Sequence, residues 1–335
     1  MAERVLVTGG AGYAGSVLVP RLLAKGLEVR ILDVMLFGSH GLEIVKDKCE
    51  IIQGDIRDRN LVENNLNDVD YVIHLAAIAN DPCSNLNPEL TKQVNYGATK
   101  NLARLAKEKG IKRFIFSSSS SVYGVREEEN VTEDLVLKPL TIYSKTKAWA
   151  EEAINELNDA NFTTTSIRSA TICGYSPRQR LDLVVNIFAS DAILKHEITV
   201  NGGEQKRPNV HIDDVTNLYA ELLSIPTEKI SGCIFNYGKE NYSLNQTAAI
   251  VREVIGEHVR IKMNPKTADS RSYHISSEKI EQVLGNYPQK TVKDAVADLK
   301  NAFAQGLIPN PSDSVYRNIA RMKEIDLKQH GKKGG

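Results

Sequence analysis

The sequence predicts an α/β fold, a doubly wound parallel sheet followed by a smaller C-terminal α/β substrate-binding domain. Three observations carry that expectation. Strand-like and helix-like segments alternate through the first half, and a glycine turn joins the first strand to the first helix. After Cys173-Gly174 the rhythm changes to helices separated by longer loops and short strands.

The first strand, Val5-Leu6-Val7, runs into Thr8-Gly9-Gly10-Ala11-Gly12-Tyr13-Ala14-Gly15 and then into an amphipathic helix ending near Lys25-Gly26. Glycines let the backbone approach phosphates with no Cβ in the way, while free N–H groups and the helix dipole supply positive potential, so this order suits a pyrophosphate. Two spacings are met at once: G-x-G-x-x-G at Gly10, Gly12 and Gly15, and G-x-x-G-x-x-G at Gly9, Gly12 and Gly15. The second strand, Glu28 to Leu32, delivers Asp33 to its C-terminal end. A carboxylate there accepts hydrogen bonds from both ribose hydroxyls of an adenosine and repels a 2′-phosphate, which points to NAD(H) rather than NADP(H).

Three more strands each end in a polar or small-residue cluster. Ile51-Ile52-Gln53 leads to Gly54-Asp55-Ile56, Tyr71 to Leu75 leads to Ala76-Ala77, and Arg113 to Phe116 leads to the serine run Ser117 to Ser121. Helical patterns lie between them near residues 60–67 and 88–109. In a doubly wound sheet ligands collect beyond the strand C-termini, where each of these clusters sits. Past the strand Thr163 to Ile167, helices are expected around residues 182–195, 215–223, 244–255 and 291–305. The expected division is residues 1–173 for the cofactor and 174–325 mainly for the substrate, with some segments returning to the first sheet, and 326–335 as a polar tail.

Forty-two basic residues balance forty-two acidic ones, so no global field favours nucleic acid or an anionic membrane. The apolar stretches are strand-sized, short of the roughly 20 residues that span a bilayer, and no signal-peptide core precedes the first strand. Cys49, Cys83, Cys173 and Cys233 are scattered without metal-ligand spacing, so no metal site is expected, and free thiols in a reducing cytoplasm are.

Tyr143 and Lys147 stand four residues apart at the start of a helical run, which puts them on one face. A neighbouring ammonium stabilises phenolate and lets the tyrosine act as a base. Ser119, beyond the Arg113 strand, reaches the same rim and can hydrogen-bond the substrate oxygen that exchanges the proton. His211, set between Val210 and Ile212, is read as a loop-orienting group, with Asp213 and Asp214 capping the helix that follows.

The chain resembles the extended short-chain dehydrogenases/reductases, in particular the nucleotide-sugar epimerases and dehydratases. The matching pieces are the glycine turn, Gly54-Asp55-Ile56-Arg57-Asp58, His74-Leu75-Ala76-Ala77, Val94-Asn95, Gly97 to Leu102, Ser119-Ser120-Ser121-Val122-Tyr123-Gly124 and Tyr143-x-x-x-Lys147. The turn departs slightly, with Ala14 where a bulkier aliphatic is usual. The resemblance implies a Rossmann sheet, a Ser119/Tyr143/Lys147 triad and NAD contacts from Gly9, Gly12, Tyr13, Ala14, Gly15 and Asp33. It places Asp55 and Ile56 near adenine, and Leu75, Ala76, Ala77, Asn95 and Ser117 beside the cofactor with Tyr143 and Lys147. For the sugar nucleotide it implies Ser120, Ser121 and Asn186, with Arg207 and Arg271 as diphosphate clamps.

Family 4,6-dehydratases carry Thr-Asp-Glu where this chain has Ser119-Ser120-Ser121. Without that acid pair, elimination loses its proton donor and base. The resemblance therefore implies a nucleotide-sugar 4-epimerase or related C4 oxidoreductase. The alternatives are a 4-ketosugar reductase that consumes NADH and, ranked lower, a 4,6-dehydratase or an NAD-binding protein without turnover. A homodimer is expected through the helices at 88–109 and 143–157, whose Leu102, Leu105, Ala106, Trp149 and Ile154 exceed what one sheet face needs.

Overall fold

Successive residues of the first strands enter opposite cores, as period-2 side-chain direction requires. Val5 and Val7 join one apolar cluster and Leu6 the other; Ile115 joins the first, Phe114 and Phe116 the second. The computed structural model describes residues 2–126, 128, 130–264, 274–285 and 290–325. Its strands are β1 (Arg4–Thr8), β2 (Glu28–Asp33), β3 (Glu50–Gln53), β4 (Tyr71–His74), β5 (Arg113–Ser117), β6 (Thr163–Ser169), β7 (Thr171–Cys173), β8 (Glu197–Asn201), β9 (Lys206–His211), β10 (Cys233–Tyr237), β11 (Glu240–Ser243) and β12 (Arg260–Asn264).

Seven strands form one parallel sheet in the order β10-β6-β5-β4-β1-β2-β3. Because β1 lies between β2 and β4, the chain winds outward from β1 in both directions, and the crevice at that reversal is where such sheets bind ligands. One face is covered by Gly15–Ala24 and Ile212–Glu221, through Leu18, Leu22, Val215 and Leu218. The other is covered by Arg59–Asn65, Thr99–Glu108 and Ile142–Asn155. A separate core joins Val184–Lys195, Leu244–Ile255 and Val292–Ala304 beside the short β8-β12 pair, while β11-β9-β7 form a third sheet. Cys233–Tyr237 does return to the large sheet, pairing with β6.

The helix expected at 88–109 is three pieces in one path. Pro88–Lys92 is α-helical, Gln93–Ala98 is a wider π turn, and Thr99–Glu108 is α-helical again. The capping expectation at Asp213 and Asp214 is corrected. His211 is the N-cap, its Nδ1 accepting the Asp213 N–H at 3.1 Å, and both aspartates fall in the first turn. His211 thus caps a helix that follows its strand directly, instead of orienting a loop. Leu102, Leu105, Ala106 and Ile154 are fully buried against the sheet, at about 1.5–3 kcal/mol for each large apolar side chain, so they leave no excess for a partner. Trp149 alone of those five is exposed. No helix among the described residues is long and apolar enough to cross a membrane.

Gly9 sits at φ +75°, and a Cβ there would lie 2.6 Å from the Ala76 nitrogen, which is backbone and cannot swing away. Gly9→Ala should therefore lower unfolding free energy by roughly 2 kcal/mol or more in a denaturant titration. Gly26, at φ +81° with nothing within 4 Å, is the control. Gly26→Ala should cost about 1 kcal/mol, and equal losses would show that conformation rather than close approach governs Gly9.

Candidate active site

A cavity of about 510 Å³ opens at the β1/β4 reversal and runs from the glycine turn, past the ends of β2 and β4, to the serine run and Tyr143. At its first end the backbone has been left with donors to spare. Ala14 is the N-cap of Gly15–Ala24 yet offers no side-chain acceptor, and no acid stands in the first turn. The N–H groups of Tyr13, Ala14 and Gly15 meet no acceptor among the described residues. A dinucleotide pyrophosphate fits this vacant donor set. At Gly15 a Cβ would stand 2.5 Å from the Gly9 and Gly10 carbonyl oxygens, so only glycine allows the turn.

Asp33 closes that end. Its Oδ2 accepts the Ala11 N–H at 3.0 Å and its Oδ1 the Met35 N–H at 2.8 Å, which ties β2 to the turn. Burial raises its pKa, with those two N–H groups and Arg178 pulling the other way. Asp55 and Ile56 line the next stretch, where Arg57 grips the Asp55 carboxylate at 2.6 Å. Leu75, Ala76 and Ala77 form the wall beyond β4. His74, in the same motif, has its Nδ1 2.6 Å from Thr8 Oγ1 and its Nε2 2.8 Å from Thr99 Oγ1, pinning β1 to β4 and to the helix beneath. Burial pushes its pKa down to about 3, so it is a neutral strut rather than a titrating group.

At the far end Ser119, Ser120, Ser121, Tyr143 and Lys147 share the cavity wall with Ser117. Ser119 caps the short turn that follows, its Oγ accepting the Ser121 N–H at 3.2 Å and lying 2.9 Å from Ser121 Oγ. Tyr143 occupies the first turn of Ile142–Asn155, which a Thr141/Ser144 capping box starts at a defined residue. One turn on, Lys147 donates to the Ser117 carbonyl at 2.7 Å and lies 4.7 Å from the Phe116 ring centre. Burial pulls its pKa down to about 7, against the opposing charge of Glu151. Glu151, a further turn along, is itself buried, paired to Arg168 at 2.9 Å and accepting from Ser118.

Two of the expected residues are placed away from the cavity wall. Asn95 is not on the cavity wall. The π turn aims its amide at Ile78, accepting from the N–H at 2.8 Å and donating to the carbonyl at 3.0 Å, so it shapes the wall from behind. Asn186 is fully buried, its amide donating to Tyr13 Oη at 3.1 Å and to the Arg180 carbonyl at 2.8 Å, which leaves a bracing role in place of a sugar contact. Tyr13 lines the cavity, but its hydroxyl is committed to the Gly174 carbonyl at 2.7 Å. Arg207 does line the cavity. Arg271 lies outside the described residues, as does the expected tail at 326–335. The sequence reading missed Arg178, Arg180, Phe37 and Asn318, all on the wall. The segment Ser176-Pro177-Arg178-Gln179-Arg180 advertises two arginines, but nothing local shows which way they point.

A profile of the NAD dependent epimerase/dehydratase family matches residues 5–238. UDP-glucose 4-epimerase of Lactobacillus helveticus is 29% identical over 315 residues, covering 88% of this chain and 95% of its own. UDP-glucuronic acid decarboxylase 1 of Arabidopsis thaliana is 32% identical over 321 residues, 91% of this chain and 71% of its own. Among solved structures, UDP-glucose 4-epimerase of Thermotoga maritima with UDP-glucose superposes with a TM-score of 0.81 at 27% identity, covering 91% of this chain and 99% of that one.

The buried ammonium of Lys147 makes a signed pH prediction. Its folded pKa, about 7, lies below its ordinary 10.5, so between those values the unfolded chain binds more protons and stability rises with pH. The cost of burying the charge is fully present below about pH 7. Without added ligand, Lys147→Met should therefore unfold at a higher temperature than the parent at pH 6, and the gap should close by pH 10. A gap that is constant with pH would mean that the lysine keeps its ordinary pKa and stays charged in the folded chain throughout that range.

Proposed function

The chain belongs to the NAD-dependent epimerase/dehydratase family and is an NAD-dependent enzyme of the nucleotide-sugar type; on that premise we propose a nucleotide-sugar 4-epimerase or closely related C4 oxidoreductase. One observation carries this reading. Ser119, Tyr143 and Lys147 line one stretch of the cavity, while Ser120 and Ser121 stand where elimination would need an acid pair. The cavity's own carboxylates are engaged elsewhere. Asp33 holds the turn, Asp55 is gripped by Arg57, Asp182 pairs with Arg180, and Asp81 accepts from Thr141 at the helix cap.

In this proposal Tyr143 takes the proton from the sugar C4 hydroxyl and returns it, and Ser119 holds that oxygen in place by a hydrogen bond. Lys147 stabilises the phenolate and holds the nicotinamide ribose. Bound NAD supplies the hydride acceptor and donor for the sugar carbon. The substrate is a nucleoside-diphosphate sugar held mainly by residues 174–325, with Arg207 directed at its diphosphate. The four free cysteines fit a reducing cytoplasm.

Tyr143→Phe should leave NAD and nucleotide-sugar affinity nearly intact and cut turnover roughly a hundredfold or more. Substrate deuterated at C4 should place its label transiently on the nicotinamide and, in an epimerase, recover it at C4. A 6-deoxy-4-keto product carrying solvent deuterium at C5 would overturn the assignment in favour of dehydration.

The proposed assembly is a homodimer. Its argument now rests on Trp149, 39% exposed with its ring edge against Tyr96 at 5.8 Å, flanked by Lys100, Glu152 and Glu156. Sedimentation at micromolar concentration should give a dimer that Trp149→Glu dissociates, and a monomeric parent would refute it.

A further inference from the structure

Arg178 is a cation buried to 1% exposure without a counter-ion at contact distance. Among the described residues it makes no ion pair, and its one side-chain hydrogen bond runs from Nη2 to Asn318 Oδ1 at 2.7 Å. Its Nε is buried with no acceptor among the described residues. The neighbouring arginine differs, because Arg180 Nε donates to Asp182 at 2.8 Å and so has its charge met. Burying an uncompensated guanidinium is costly, and it persists only when something else in the site draws on the charge.

The group is also held still. Its plane lies 4.0 Å from the Phe37 ring centre, Asn318 fixes one end, and its own N–H donates to Ser16 Oγ at 3.3 Å. Ser16 belongs to the first turn of the glycine-turn helix, and Phe37 follows Asp33 in the loop after β2. Arg178 therefore stands between the turn and Asp33, on the cavity wall. In a dinucleotide site the helix N-terminus takes the pyrophosphate and the strand-end acid the adenosine ribose, so the phosphates lie between those two points.

We propose that Arg178 is a phosphate ligand of the cofactor, acting on the pyrophosphate together with the glycine turn. The division of labour follows from the chemistry. The turn donates neutral N–H groups, which orient the phosphates but carry no full charge, and the guanidinium supplies the charge with a planar fork of donors. Phe37 and Asn318 are positioning residues that hold the fork before the ligand arrives. This assignment rests on NAD occupying the cavity and is independent of which sugar carbon reacts.

Calorimetric titration of the full chain with NAD, ADP, adenosine and UDP tests it. Arg178→Gln should weaken NAD and ADP by about tenfold or more, the scale of a lost charge-assisted hydrogen bond, and leave adenosine and UDP within about twofold. Asn318→Ala, which keeps the charge but frees the fork, should weaken NAD and ADP by a smaller factor. Equal losses for adenosine and ADP would make Arg178 a structural strut. A loss confined to UDP would move it to the substrate diphosphate. Should Arg178→Gln fail to fold, Arg178→Lys keeps the charge without the fork and should still weaken ADP severalfold; undiminished ADP affinity in it overturns the proposal. No sugar enters these titrations, so they stand apart from the product assay.

Discussion

The ligand end of this sheet depends on how closely the glycine turn passes the backbone at Leu75 and Ala76. At Gly9 a Cβ would sit 2.6 Å from one backbone atom of Ala76 and 2.8 Å from another, so the chain leaving β1 can pass the chain leaving β4 this closely only if that residue has no side chain. The approach is held from below by His74, which bridges Thr8 and Thr99 and stacks on Phe116. Because burial keeps that imidazole neutral, the bridge does not weaken at any pH where the protein would be studied. The crevice opens above this contact, at the reversal of strand order beside β1.

A second constraint is electrostatic. Lys147 and Arg178 are both buried, and each is held by neutral groups: a carbonyl and a ring for Lys147, an amide and a ring for Arg178. The Glu151–Arg168 pair behind the serine run is arranged in the opposite way, with its charges met directly and further bonds from Ser118 to Glu151 and from Arg168 to Tyr123. Closed pairs stiffen the frame, whereas cations without contact carboxylates leave a positive field where water is scarce and the effective dielectric low. An anionic ligand placed beside them would recover part of that desolvation cost.

The later half of the chain both lines the cavity and returns to the earlier half. Cys233–Tyr237 extends the large sheet, and the Ile212–Glu221 helix packs on the helix of the glycine turn. Tyr13, Asn186 and Gly174 form a buried hydrogen-bonded knot that joins the turn to the segment opening the second half. Ser16 and Ser176, with hydroxyl oxygens 2.8 Å apart, add to it. Movement of that segment would therefore be felt directly at the glycine turn.

The alternation of strands and helices, the glycine spacing, Asp33, and the Tyr143/Lys147 pair were legible in the sequence, because each is a local pattern. A turn needs its glycines within a few residues, and one helical face brings i and i+4 together. Asn95 looked like a cofactor contact because its motif is local, but the π turn that aims it at Ile78 is not written in propensity. That Asn186 is buried against the Tyr13 hydroxyl was not legible for a related reason, since the two residues are 173 apart in the chain. Arg178 was invisible as a ligand-facing cation, because its burial and its lack of a counter-ion are properties of Phe37, Asn318 and Ser16 arriving from three other elements. The sequence by itself determined the fold class, the turn and the local grouping of Tyr143 with Lys147. Only the tertiary structure decided which polar side chains face the cavity and which are consumed in holding it, because desolvation and hydrogen-bond satisfaction depend on neighbours that local patterning does not specify.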